Sequence, residues 1–129
     1  MVNFVTTQLS AEYDVLAPDG SEIRLLPQLR GGSMAHAKLL PGQVSLPVAH
    51  KTVEEIWYVL AGTGEIWRKS EDSEAITTLE SGVAITIPLG THFQFRNISD
   101  VPLEILLITM PPWPGEDEAY SVLGRWPTE

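Results

Sequence analysis

His36, His50 and His92 are the only imidazoles in this 129-residue chain, and it contains no cysteine. Acid–base or metal chemistry must therefore be built from these rings together with carboxylates. An imidazole and a carboxylate set into one pocket can pass a proton to and from a small substrate near neutral pH. A metal asks for more. Catalytic zinc normally takes three protein ligands, and the non-haem iron triad needs two histidines with a carboxylate. Thiolate zinc sites and disulfide frameworks are excluded. His50 stands out because Glu55 follows it closely, at the head of the run Glu55-Ile-Trp-Tyr-Val-Leu60.

The elements that would position these groups read as short strands, each closed by a turn. Residues 22–26 follow Pro18-Asp19-Gly20 and end at Pro27, and residues 33–40 lie between Gly31-Gly32 and Pro41-Gly42. Residues 55–60 end at Gly62, with 65–69 as the hairpin partner; 75–80, 83–87, 91–97 and 103–110 complete the series. Such spacing predicts an all-β sandwich or closed barrel. A short helix is allowed only at residues 10–15 or in the acidic turn after Gly115. The length suits a single domain over residues 1–129.

From residue 111 the character changes to a Pro/Trp-rich tail, residues 111–129, carrying Pro111-Pro112-Trp113-Pro114-Gly115 and Gly124-Arg125-Trp126-Pro127. Prolines lack a ladder donor, so this tail is not a central strand. Its two tryptophans are expected to cover an apolar face, of the chain's own barrel or of a second subunit.

Hydrophobic residues make up 43% and charged residues 19%, a globular balance. The net charge of -9 argues against nucleic acid, which needs a dense basic patch. Residues 105–110, the most apolar run, are too few to cross a bilayer, and residues 1–14 lack the pattern of a signal peptide. The expectation is a soluble, cytoplasmic protein with neither nucleic acid nor membrane as partner.

Two segments carry a family resemblance. Over residues 42–62 the pattern Gly42-x5-Val48-x-His50-x4-Glu55-x6-Gly62 resembles the first cupin motif, with valine at the first histidine position. Over residues 82–97 the pattern Gly82-x5-Pro88-x-Gly90-x2-Phe93-x3-Asn97 resembles the second, with phenylalanine at its histidine position. Both motifs in order identify the chain as a small single-domain cupin. The resemblance implies a double-stranded β-helix, or jelly-roll barrel, in which three histidines and a glutamate ordinarily hold a divalent metal. Two of those four positions are replaced here.

Strand alternation then assigns faces. Val48 and His50 share one face of their strand. Glu55, Trp57 and Val59 point to the pocket, while Ile56, Tyr58 and Leu60 point away. Thr91, Phe93, Phe95 and Asn97 point inward; His92, Gln94 and Arg96 point outward. The pocket-lining set is Val48, Trp57, Val59, Thr91, Phe93, Phe95 and Asn97. A divalent metal would need His50, Glu55 and a third ligand, which a bulge at residues 90–92 would supply by turning His92 inward. His36 reads as an exposed or dimer-facing residue rather than a pocket one.

Three functions fit these residues. The leading one is a small-molecule-binding cupin, free of cofactor, in which a His50/Glu55 pair serves as acid and base for an isomerase, lyase or cyclase type of reaction. The second is a metal-dependent oxygenase or related metalloenzyme. The third is a non-enzymatic ligand-binding or structural dimer whose barrel is filled by its own side chains. The resemblance also implies a homodimer, with Ile56, Tyr58 and Leu60 on the paired outer face.

Overall fold

The computed structural model describes residues 3–128. Eleven strands and one 3-10 turn follow in chain order: β1 Val15–Leu16, β2 Glu22–Leu29, β3 Gly32–Leu39, β4 Val48–His50, β5 Glu54–Ala61, β6 Thr63–Lys69, β7 Glu74–Glu80, β8 Ala84–Ile87, β9 His92–Asn97, β10 Leu103–Met110, the turn Glu116–Glu118 and β11 Ala119–Ser121. One sheet has the order β1-β2-β3-β10-β5-β8 and the other β11-β4-β9-β6-β7. The described pairings are antiparallel, and the core lies between the two sheets. No described helix is long and apolar enough to cross a membrane.

The turns explain much of this arrangement. Gly62 and Gly90 take positive φ angles of 85° and 81°, a region costly for any residue with a Cβ. At Gly62 a Cβ would also collide with the Pro102 carbonyl, so the β5–β6 turn packs directly under the start of β10. Residues 10–15 form no helix, whereas the acidic turn after Gly115 does tighten into a 3-10 turn. β2 does not stop at Pro27, as the sequence suggests, but runs on to Leu29. Its register with β3 shifts between Leu25 and Gln28, and such an irregularity tolerates a residue without an N–H.

Alternation decides what fills the interior. Trp57, Phe93 and Phe95 are 2%, 1% and 1% exposed and meet edge-to-face, Trp57 lying 5.6 Å from Phe93 and 5.0 Å from Phe95 between ring centres. At the opposite edge β7 and β8 end their respective sheets. Arg68, on the inner face of β6, bridges them by donating to the Thr86 carbonyl and the Thr77 hydroxyl. Its partial burial pushes the guanidinium below its ordinary pKa.

The tail covers the chain's own barrel. β11 pairs with β4, and beyond it the Gln94 side chain grips the main chain. Its carbonyl accepts from the N–H groups of Arg125 (2.9 Å) and Trp126 (2.8 Å), and its amide donates to the Trp126 carbonyl at 2.8 Å and the Ser45 carbonyl at 3.0 Å. Arg96, held by Glu65 at 2.6 Å, lies 4.2 Å over the Trp126 ring. Gln94 faces outward from the barrel, yet it is fully buried beneath these residues.

Candidate functional site

His50 and Glu55 belong to different sheets. The chain leaves β4 at His50, turns through residues 51–53 and enters β5 on the facing sheet. The Glu118 carboxylate holds this turn, accepting from the Thr52 N–H and hydroxyl, each at 2.6 Å, and from the Val53 N–H at 3.0 Å. The carboxyl is buried, which would raise its pKa, but these hydrogen bonds and the nearby His50 outweigh burial and hold it below its ordinary value.

Glu55 is 5% exposed and engaged on both oxygens. Oε1 accepts from the Trp57 indole N–H at 3.0 Å, and Oε2 accepts from the Thr109 hydroxyl at 2.5 Å. No hydrogen bond joins it to His50 among the described residues. The two side chains are therefore not directly hydrogen-bonded to each other. Glu55 is instead paired with Thr109, which stands across the ladder from it on β10.

His50, at the end of β4, is 6% exposed and packs against two aromatic rings. Its ring centre lies 5.3 Å from that of Phe93 and 5.2 Å from that of Trp113, both nearly perpendicular. Trp113 is positioned from the tail by its N–H, which donates to the Ser33 hydroxyl at 3.0 Å. The Nδ1 atom of His50 is buried without a hydrogen-bond partner among the described residues. Asp19, from the turn before β2, contributes a second nearby acid. Burial raises its carboxyl above the ordinary aspartate value, against hydrogen bonds from Ser21 and the charge of His50.

The residues that alternation assigns to the inner face are buried. Val48 and Phe93 are directly paired across β4 and β9 and are 4% and 1% exposed. Trp57, Val59 and Phe95 are buried with them in the apolar cluster. Thr91 is buried at the turn into β9, where its N–H donates to the Pro88 carbonyl. Asn97 is buried too, but its amide is committed to the next turn. It donates to the Leu39 and Val101 carbonyls and accepts from the Ser99 N–H. Asn97 therefore braces the end of the barrel and turns no free polar atom toward His50.

The residues present do not fit a divalent ion. No group of three or more His, Cys, Asp or Glu side chains among the described residues could hold one. His92 pairs with Lys69 in unbroken register, so the bulge needed to turn it inward is absent and it lies on the outer face of β9. His36 differs from expectation in a different way. It lies on the outer face of β3 but is only 2% exposed, with Nε2 2.9 Å from Glu104 Oε1 and Arg24 beside it on β2.

Sequence reasoning missed Thr109, Glu118 and Asp19, and expected Trp113 to cover an apolar face without placing it against His50. Of these, Thr109 was accessible from alternation alone, since it shares the buried face of β10 with Ile105. The other three enter through tail and turn contacts that carry no periodic signal.

With this geometry established, comparison with known proteins gives a consistent answer. The Cupin domain family model matches residues 35–109. The uncharacterized protein MJ1618 of Methanocaldococcus jannaschii is 37% identical over 118 residues, covering 84% of this chain and 91% of its own. Among solved structures, the capsular polysaccharide assembling protein CapF of Staphylococcus aureus superposes with a TM-score of 0.69 at 16% identity. That match covers 91% of this chain and 32% of CapF, so the chain spans about a third of that protein. BH2720 of Bacillus halodurans superposes with a TM-score of 0.65 at 20% identity, covering 77% of this chain and 76% of its own. The fold and the site define a small double-stranded β-helix. The chain belongs to the cupin family.

Proposed function

We propose that this cupin binds a small, partly apolar molecule at the barrel mouth through His50, without a metal. The observation that carries this reading is the buried Nδ1 of His50, unpartnered among the described residues, in a ring packed nearly perpendicular to those of Phe93 and Trp113. Leaving a buried polar atom unpaired costs free energy, and a ligand donor or acceptor placed there would recover it. The flanking rings suit an apolar ligand body, and a few polar groups within an apolar lining are the usual make-up of such sites. The reaction class this suits is proton transfer by one imidazole, as in an isomerase, lyase or cyclase. This reading gives Glu55 a structural role, since each of its oxygens already accepts a hydrogen bond within the core.

Ligand-observed NMR with a library of small aromatic and alicyclic compounds tests the proposal. Binders should lose contact when His50→Phe is introduced and keep it in Glu55→Gln. A hit set indifferent to His50→Phe refutes it.

The filled-barrel dimer is the second reading, favoured by the edge-to-face packing of Trp57, Phe93 and Phe95. We include a homodimer in the proposal. Ile56, Tyr58 and Leu60 are 44%, 45% and 42% exposed on one sheet face, an apolar stripe that a second copy would cover. Tyr58→Glu should convert a sedimenting dimer to a monomer, and a monomeric wild type at micromolar concentration excludes it.

A further inference from the structure

A crevice lies away from His50, on the outer face of the five-stranded sheet. It has a volume of about 480 Å³ and runs between the sheet and the latched tail, with Trp67, Lys69, Glu74 and His92 on one wall and residues 122–125 on the other. We infer that this crevice is a second binding site, taking a small organic anion: a phosphate or carboxylate carried on a compact apolar body. The inference does not depend on the reading of His50 and can fail separately from it.

Charge is the first argument. The chain has 8 Lys and Arg against 17 Asp and Glu. Even so, Lys69 from β6, His92 from β9 and Arg125 from the tail line the same crevice. Lys69 and His92 are direct neighbours across the ladder. None of these three side chains makes a salt bridge or hydrogen bond among the described residues. Glu74, the one carboxylate on the wall, stands across the β6–β7 ladder from Lys69 and offsets part of this charge, while its Oε2 accepts from the Trp67 indole N–H at 2.7 Å. Two cations from separate segments, Lys69 and Arg125, with the His92 imidazole beside them as a further hydrogen-bonding group, give this concavity a positive excess over Glu74 in an otherwise acidic protein, and that favours an anion.

Shape and rigidity supply the rest. Trp67, Val122 and Leu123 give the crevice apolar surface, and Leu123 is 92% exposed, with no packing role in the core. The tail wall is held in place. Gln94 takes the N–H groups of Arg125 and Trp126, and Arg96 covers Trp126. Gly124 lies so close to Gln94 and Pro47 that a Cβ there would come within 2.6 Å of both. A wall already ordered leaves little conformational entropy for a ligand to remove, and the volume is that of ordinary small-molecule sites.

Phenyl phosphate is a suitable probe, titrated into the full chain and followed by NMR. The expected result is saturable movement of the His92 ring, the Trp67 indole N–H and the Arg125 amide, with phenol giving none. Lys69→Gln with Arg125→Gln should weaken binding by about tenfold or more, the scale of losing a charge-assisted hydrogen bond, and leave the thermal midpoint unchanged. Both residues are exposed, so the double variant should fold. Shifts that never saturate, shifts confined to His50 and Trp113, or equal affinity in the double variant would each overturn the assignment.

Discussion

Glu55 offers the sharpest perturbation, because its two roles predict different outcomes. If the carboxylate is a structural acceptor, Glu55→Ala leaves the Trp57 indole N–H and the Thr109 hydroxyl unpaired in the core. Each buried orphan costs about 1–3 kcal/mol, and the void left by the missing side chain adds to that. The expected loss is about 3–5 kcal/mol, a large share of the roughly 5–15 kcal/mol that holds a domain together. Glu55→Gln keeps the shape. Its carbonyl can accept from Trp57, while its amide donates to a hydroxyl of Thr109 turned to accept, so only the charge assistance is lost, about 1 kcal/mol. Thr109→Val combined with Glu55→Gln should then fall short of additivity, because the two residues share one contact. Urea unfolding followed by circular dichroism and tryptophan fluorescence measures all four. If Glu55→Ala costs less than about 1 kcal/mol, or Glu55→Gln costs as much as Glu55→Ala, the structural assignment is wrong.

Three further outcomes follow from other parts of the molecule. Diethyl pyrocarbonate should modify His92 first, His50 slowly and His36 least, following their accessibility, and Trp113→Ala should accelerate His50 alone; peptide mapping by mass spectrometry reads the order. Gln94→Ala removes four hydrogen bonds to Ser45, Arg125 and Trp126, an expected loss of about 2–4 kcal/mol, and hydrogen exchange over residues 119–126 should rise well ahead of the core. Because Glu118 is depressed in the folded state, its stabilisation is fully present above its ordinary pKa of 4.5 and is lost as the pH falls through the lower folded value. Glu118→Gln should therefore lower the unfolding midpoint at neutral pH and converge on wild type in acid. A constant difference across that range would exclude the carboxylate as the cause.

The barrel was legible where the two-residue period and the turn glycines acted together. In β5 the burial of Glu55, Trp57 and Val59 against exposed Ile56, Tyr58 and Leu60 follows directly from alternation anchored at Gly62. In β9 the inward Phe93, Phe95 and Asn97 are buried as alternation assigns them, and its unbroken register kept His92 on the outside. What alternation could not convey was partnership across long stretches of chain. Glu55 meets Thr109 from 54 positions away, and nothing near Glu55 signals that a hydroxyl rather than His50 will satisfy it. His36 and Gln94 both occupy outward positions that the pattern reads as exposed, yet both are buried. Gln94 lies under the tail, and His36 stands beside Arg24, whose guanidinium holds the Ser10 and Ala11 carbonyls of the N-terminal segment. Polar side chains that recruit irregular segments leave no periodic trace, so neither the path of the tail nor the contact of Trp113 with His50 was legible in the sequence.

Crystals of protein purified without chelator, measured at the absorption edges of iron, zinc, manganese and nickel, would bear most directly on the mouth of this barrel. The expected map holds no anomalous peak beside His50 or Glu55, and shows a bound organic molecule against His50 Nδ1 between Phe93 and Trp113. A divalent ion ligated by His50 and Glu55 together would contradict the account.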